Sequence, residues 1–169
     1  MERPGRCPRA GSFDFPVGSG SATGYYNAQP FGENSHLGDD WNGVGGGDTD
    51  LGDPVLAIAA GVVRSTHDHG GGWGRVVRVV HDIGAAGAPV YIESLYAHLA
   101  STEVAAGDVI ARGHRIGTIG NAGGRYPAHL HLEIRDQVGL PLGRGYGADV
   151  SGYLDPTAFI RARRPTAGR

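Results

Sequence analysis

The sequence predicts an all-β protein built on an antiparallel sheet or sandwich. Glycine accounts for 31 of the 169 residues without a triplet period, which excludes collagen and favours many tight turns. From residue 54 onward the chain consists of short β-branched or alternating runs separated by glycine-rich turns such as HGGGWG and GAAGAP. Five or more such runs, 10 to 20 residues apart, are typical of antiparallel architectures.

The domain organisation follows from changes in composition. Residues 1–25 are rich in Pro, Gly, Ser and Arg and are expected to form a flexible N-terminal extension. Residues 26–160 form one domain, within which residues 31–53 are too rich in Gly, Asp and Asn for a helix or a long strand and are predicted to form a loop. DPTAFIRAR predicts a short terminal helix with Asp155 as N-cap and Pro156 at its first position. Residues 161–169 are expected to be a disordered tail.

The charge and composition exclude several functions. A net charge of −2 provides no cationic surface for nucleic acid. Lysine is absent, so a Schiff base or a lipoyl or biotinyl attachment site is excluded, and the single cysteine rules out a disulfide framework. No apolar run is long enough for a membrane span, and no signal peptide is visible in residues 1–25. We expect a monomer.

Two histidines lie one residue apart in the alternating segment PAHLHLEIRD. A strand places His129, His131, Glu133 and Arg135 on one face and the apolar residues on the other. The two imidazoles are therefore neighbours, and the segment alone leaves open whether they bind a metal, exchange protons or do one task each.

A second alternating segment, SLYAHL, places Tyr96 and His98 on one strand face. If this strand lies beside the first, three imidazoles share one patch. We interpret His67 and His69, which precede a glycine-rich turn, as solvent-exposed, and His81 and His114 as structural or exposed.

The loop of residues 31–53 contains the remaining candidate ligands. His36 and Asp40 are separated by a flexible glycine-bearing turn, and imidazole with carboxylate is a good donor set for zinc. The loop also contains several other acidic residues, so a solvated acidic loop, with or without bound calcium, is an equal alternative at this point. Those residues are Glu33, Asp39, Asp48, Asp50 and Asp53.

Three short motifs in this order resemble the signatures of the lysostaphin-like, M23-type (LytM) zinc metallopeptidases. His36-Leu-Gly-Asp-Asp40 is similar to H-x-x-x-D, Tyr96-Ala-His98 to Y-x-H, and His129-Leu-His131 to H-x-H. The stretches GDPVLAIAAGVV, VAAGDVIARGHRIGTIGNAG and LDPTAFI resemble further family segments, so the match runs from about Phe31 to Ile160. The resemblance implies the lysostaphin-like peptidase fold (duplicated hybrid motif), with a groove on the sheet.

The resemblance also implies a function and its residues. It implies a zinc-dependent endopeptidase that hydrolyses peptide bonds in peptidoglycan stem peptides or cross-bridges through a zinc-activated water, and a location in the cell envelope or outside the cell. His36, Asp40 and His131 match the ligands of one Zn²⁺. His98 and His129 match the two catalytic histidines that act on the water and the amide. Tyr96 matches a tyrosine that lines the site.

Asp39 is a departure from the family pattern, which has an apolar residue there. Asp39 either competes for the metal or orients His36 as a hydrogen-bond acceptor, and Asp40 is preferred as ligand because it alone has the matching spacing. Two alternatives remain. One is a non-catalytic M23-fold module that binds cell wall or regulates a partner, although such proteins typically lack ligands. The other is a carrier or phosphotransfer domain. The absence of lysine disfavours a carrier, and a phosphotransfer domain would not need His36 and Asp40.

Overall fold

The computed structural model describes residues 7–166, which form ten strands and one α-helix. The elements are β1 Tyr25–Gln29, β2 Asp39–Gly43, β3 Pro54–Leu56, β4 Gly61–Asp68, β5 Arg75–Asp82, β6 Tyr91–Thr102, β7 Val109–Ile110, β8 Arg115–Ile119, β9 Leu130–Arg135, β10 Tyr153–Leu154 and α1 Pro156–Arg161. The predicted all-β class is confirmed. The helix also forms as predicted, because the Asp155 side chain accepts a hydrogen bond from the Ala158 amide.

All strands pair antiparallel within one sheet, whose main path runs β1-β2-β9-β6-β5-β4-β7. The twelve-residue strand β6 organises the sheet, since residues 93–97 pair with β9 while residues 99–102 pair with β8. His98 lies between these two pairings. The predicted proximity of the two histidine-bearing strands is therefore confirmed.

Strand β2 lies inside the segment that the sequence predicts to be a loop. Its residues alternate between buried and half-buried, and its register pairs Asp40 with His131 of β9. The prediction is wrong for Asp39–Gly43 because two neighbouring strands supply hydrogen bonds that outweigh the weak strand propensity of Asp, Asn and Gly.

The N-terminal segment is part of the domain, which corrects the expected flexible extension. Phe13 and Val17 are almost completely buried in the main core. The Phe13 amide also donates to the carbonyl of Arg163, so the segment is tied to residues that follow α1. Its irregular backbone agrees with the composition, but burial of its apolar side chains fixes its position. Residues 1–6 and 167–169 of the predicted extension and tail lie outside the described residues.

The two faces of β9 are covered differently. Leu130, Leu132 and Ile134 pack in the main core. On the opposite face, Glu133 and Arg135 have no exposed surface. The loop that follows β9 covers them, since the Arg135 guanidinium donates to the carbonyls of residues 140, 141 and 142. Buried charges persist there because each is paired or hydrogen-bonded.

Within residues 7–166, no helix has both the length and the apolar character required to cross a membrane.

Candidate metal centre

Three predicted ligands converge where β2 meets β9. His36 lies three residues before β2, Asp40 is on β2, and His131 is the residue of β9 directly paired with Asp40. The His131 Nδ1 atom is 2.9 Å from Asp40 Oδ1 and 3.1 Å from His36 Nε2. His36 Nε2 is 3.4 Å from Asp40 Oδ1. Adjacent strands and a short loop therefore bring one atom of each residue to a single point.

Gly38 allows this approach. A Cβ atom at position 38 would lie 2.4 Å from the carbonyl oxygen of Leu132 and 3.0 Å from the His131 ring. At position 38 the chain thus lies so close to β9 that a residue with a side chain does not fit. This explains the glycine within His36-Leu-Gly-Asp-Asp40 by close packing.

In both imidazoles, the ring nitrogen that points away from the converging atoms makes a hydrogen bond, and this bond fixes the orientation of the ring. The His36 Nδ1–H donates to the Gln29 carbonyl at 2.9 Å, which leaves Nε2 with a lone pair. The His131 Nε2–H donates to Glu133 Oε1 at 2.9 Å, which directs Nδ1 towards Asp40 and His36, and the other Glu133 oxygen binds Arg135. Such outer acceptors set the tautomer of metal-binding histidines and raise their basicity.

The protonation states differ among the three residues. Burial lowers the pKa of His36, so its imidazole is neutral. Burial opposes ionisation of Asp40, but the hydrogen bond and charge of His131 hold the pKa of that carboxyl below its usual value. Burial would also lower the pKa of His131, yet Asp40 and Glu133 together raise it to about 9. A cation between these atoms must therefore displace a proton from His131.

The donor set fits a divalent metal ion. His36, Asp40 and His131 are the one group of three or more such side chains, within residues 7–166, whose ligand atoms lie close enough to share an ion. Two ligands of a tetrahedral zinc ion lie roughly 3.3 Å apart when the bonds are about 2.0 Å long, which is close to the separations observed. Two imidazoles and one carboxylate are ordinary zinc donors, and three protein ligands leave a position for water or substrate.

His98 reaches the same side of the sheet by breaking the strand alternation. Its φ angle is +63°, a left-handed conformation that is uncommon for residues other than glycine. Its ring centroid lies 4.8 Å from that of His129 and 5.6 Å from that of His131. The bend falls where the pairing of β6 passes from β9 to β8. Burial, with the neighbouring histidines, lowers the pKa of His98 to about 3.

His129 and His131 share one face, as predicted, but their environments differ. His131 is buried, whereas His129 is half-buried and borders the cavity. The His129 Nδ1–H donates to the carbonyl of Pro127 at 2.8 Å, and Nε2 lies 3.8 Å from Asp40 Oδ1. His129 is thus beside the candidate ligands without being one of the three converging donors.

Tyr96 and Asp39 do not line the site, which corrects both predictions. Tyr96 pairs with Leu132 and therefore faces the core, where its hydroxyl accepts a hydrogen bond from the Ile58 amide. The bend at His98 separates it from Tyr96. Asp39 also faces away from Asp40, as neighbours on a strand do. Its oxygens accept from the Phe31 amide at 3.0 Å and the Thr157 hydroxyl at 2.6 Å, and the Gln29 carbonyl is the acceptor for His36.

Three of the remaining acidic residues of the loop have structural partners, and no group of them lies close enough to share an ion among the described residues, so the calcium alternative has no support there. Asp48 accepts from the Ala128 amide, and Asp50 accepts from the Gly43 amide. Asp53 is hydrogen-bonded to the Tyr25 hydroxyl. These contacts order the loop against the sheet. The other histidines are placed as predicted: His67, His69 and His114 are exposed, and His81 is buried.

A cavity of about 350 Å³ opens above the converging ligands. Side chains that the sequence analysis did not select form much of its wall, and these are Trp73, Tyr126, Arg144 and Tyr146. Trp73 lies on the turn between β4 and β5, and its ring is stacked near His98. All four come from turns and loops, where no periodic pattern indicates which side chain faces the site.

Two histidines and a carboxylate converge at one point, and two further histidines border the same open cavity. This arrangement is typical of hydrolytic metalloenzymes. Residues 41–142 match the model of Peptidase family M23. The chain therefore belongs to Peptidase family M23. The matched segment contains His98, His129 and His131 and begins directly after Asp40.

Individual relatives agree with this assignment. An uncharacterized metalloprotease of Haemophilus influenzae is 35% identical over 83 residues, which cover 49% of this chain but only 16% of that protein. The catalytic domain of lysostaphin, an antimicrobial peptidase from Staphylococcus simulans, superposes with a TM-score of 0.58 at 22% identity and covers 83% of this chain and 95% of the domain. A zinc-containing peptidase from Vibrio cholerae superposes with a TM-score of 0.50 at 21% identity, over 74% of this chain and 37% of that one. The predicted lysostaphin-like fold is confirmed.

Proposed function

We propose that this protein is a zinc-dependent endopeptidase that hydrolyses peptide bonds in peptidoglycan stem peptides or cross-bridges. The observation that carries the proposal is the convergence of His36 Nε2, Asp40 Oδ1 and His131 Nδ1 below an open cavity that two more histidines border. Membership of Peptidase family M23 supports peptide hydrolysis. The resemblance of the three motifs to lysostaphin-like enzymes supports the peptidoglycan substrate and a role outside the cytoplasm.

Zinc is the proposed ion because of the donor set. Two neutral imidazoles and one carboxylate suit zinc better than calcium or magnesium, which prefer oxygen ligands. The structurally similar Vibrio cholerae peptidase contains zinc. When bound, zinc polarises the scissile carbonyl and lowers the pKa of water to about 7.

The two histidines that we propose as catalytic residues, His98 and His129, share one arrangement. Each directs its Nδ1 atom to a backbone carbonyl, that of Trp73 for His98 and that of Pro127 for His129. In the neutral tautomer that donates this hydrogen bond, the second ring nitrogen has a lone pair. A general base needs such a lone pair within reach of the water.

We assign the proton transfer to His129, which is the less buried of the two and lies beside Asp40. Water oxygen bonds to the carbonyl carbon as His129 takes its proton. The carbon–nitrogen bond then breaks, and the proton returns to the departing amine. No covalent enzyme intermediate forms. His98, held neutral by burial, accepts a hydrogen bond from the water or the substrate amide and orients it.

Muropeptide analysis tests this function. Purified Gram-negative and Gram-positive sacculi are incubated with the zinc-loaded protein, the chelated protein and the zinc-loaded His129→Ala variant, and the products are identified by mass spectrometry. New peptide termini that depend on zinc and on His129 are expected, and they identify the bond that is cut. Binding to sacculi without new termini contradicts the proposal and favours a non-catalytic cell-wall module.

A further inference from the structure

Arg144 lines the cavity with its side chain exposed. Within residues 7–166 its guanidinium makes no hydrogen bond, ion pair or ring contact. It is also the one arginine among the residues that line this cavity. A guanidinium stays charged at every physiological pH, so the cavity has a permanent cation on its wall that no group of the described residues neutralises.

The backbone on both sides of Arg144 is fixed. The Gly143 carbonyl accepts a hydrogen bond from Trp73 Nε1 at 3.1 Å. The Gly145 carbonyl accepts one from the Leu37 amide at 2.9 Å, next to the candidate ligand His36. A Cβ atom at Gly145 would lie 3.8 Å from the His131 ring, so this backbone borders the metal centre. The backbone that carries Arg144 is therefore held by hydrogen bonds on both sides.

Two other arginines hold the preceding part of the same loop. Arg135 donates to the carbonyls of Leu140, Pro141 and Leu142, and Arg78 also donates to that of Leu140. Both guanidiniums are paired with buried glutamates of the sheet, Arg78 with Glu93 and Arg135 with Glu133. These arginines serve the fold, and the rigid loop that they create presents Arg144 at a defined position. Such preorganisation lowers the entropic cost of binding.

We propose that Arg144 is a specificity-determining residue that binds a free carboxylate of the peptide substrate close to the bond that is cut. The planar guanidinium donates two parallel hydrogen bonds to a carboxylate, which an uncharged peptide cannot accept in the same way. This inference rests on the proposed function and deepens it. Arg144 thereby favours stem-peptide linkages, which contain such carboxylates, over uncharged glycine cross-bridges.

The test uses two matched substrates. Cross-linked muropeptide dimers are compared with the same dimers after their free carboxyl groups have been converted to carboxamides. At low ionic strength we expect zinc-loaded wild-type protein to prefer the carboxylate dimers about tenfold in kcat/KM, mainly through KM. Arg144→Gln should lose most of this preference, because kcat/KM should fall further on the carboxylate dimers than on the carboxamide dimers. Added salt should reduce the wild-type preference, because an exposed ion pair is screened.

Arg115→Gln is the matched control, since Arg115 is exposed, lies on β8 and pairs with Glu103 outside the cavity. It changes the net charge equally and should keep the preference. Equal loss on both substrates in Arg144→Gln, or an unchanged preference, overturns the inference.

Binding is measured separately by calorimetry, with zinc-loaded His129→Ala protein and the same variant carrying Arg144→Gln. If no dimer is cleaved, the proposed function fails, yet a carboxylate preference that disappears with Arg144 still supports this inference. Absence of a binding preference in His129→Ala overturns it.

Discussion

His131 Nε2 lies 2.9 Å from Oε1 of Glu133, a carboxylate with no exposed surface two residues further along β9. Because alternate residues of a strand share a face, the sequence places this acceptor beside the candidate ligand. Arg135, the next residue on that face, binds the second oxygen of Glu133. One strand thus supplies a candidate ligand and the group that orients it, and His131 together with Arg135 holds the pKa of the Glu133 carboxyl below its usual value despite its burial.

The first prediction concerns the hydrogen bond between Glu133 and His131. Glu133→Gln should weaken zinc binding by roughly 10- to 100-fold, since a neutral amide is a poorer acceptor for the His131 Nε2–H and no longer raises the basicity of the imidazole. Competition with a chromophoric chelator measures the affinity.

Glu103→Gln is the control, because Glu103 is half-exposed and pairs with Arg115 away from the site. It should bind zinc as wild type does. Since Glu133→Gln also leaves the buried Arg135 without its partner, circular dichroism must show that the variant is folded. Unchanged zinc affinity in the folded variant would refute the role of Glu133.

The second prediction separates the two histidines of the H-x-H pair. His131→Ala should lose both bound zinc and activity, because Nδ1 of His131 is one of three converging donors. His129→Ala should retain about one zinc ion per chain and lose activity. Elemental analysis of the purified variants measures their zinc content. A reversal of the two outcomes overturns the assignment of His131 as ligand and His129 as catalytic residue.

The third prediction separates the two neighbouring aspartates. Asp40→Ala should abolish zinc binding. Asp39→Ala should keep zinc but reduce the free energy of unfolding by about 2 kcal/mol, because it removes the acceptor for the Phe31 amide and the Thr157 hydroxyl. Zinc content and urea unfolding of both variants are the measurements. Loss of zinc in Asp39→Ala with normal stability would show that the wrong carboxylate was chosen.

Sequence reasoning succeeds where strand alternation decides. It predicts that His129 and His131 share a face. The proximity of His98 to them depends instead on the pairing of β6 with β9 and on the left-handed backbone at His98. Sequence reasoning fails at Tyr96, since nothing in SLYAHL indicates the left-handed φ of His98 that reverses the direction of one side chain. It also misses Trp73 and Arg144, because loops are positioned by tertiary contacts.

The fourth prediction concerns the pH dependence of stability. His81 is completely buried. Its Nδ1–H donates a hydrogen bond to the Ala60 carbonyl, and its Nε2 is hydrogen-bonded to the Ser94 hydroxyl. Burial lowers the pKa of His81 from 6.5 to about 4. The unfolded chain therefore takes up a proton below pH 6.5 that the folded protein does not accept until about pH 4. The contribution of His81 to stability is complete above pH 6.5 and is lost as the pH falls toward 4.

Over that window His81 should account for a loss of about 3 kcal/mol in the free energy of unfolding, and for about 2 kcal/mol between pH 7 and pH 5. His81→Gln removes the titrating group, so its stability should fall less over the same interval, although its stability at pH 7 is lower. Urea unfolding in chelator-containing buffer at both pH values measures this while keeping metal binding out of the comparison. The exposed His114→Gln variant should retain the wild-type pH dependence. If His81→Gln retains it too, the buried imidazole is not the group that destabilises the protein in acid.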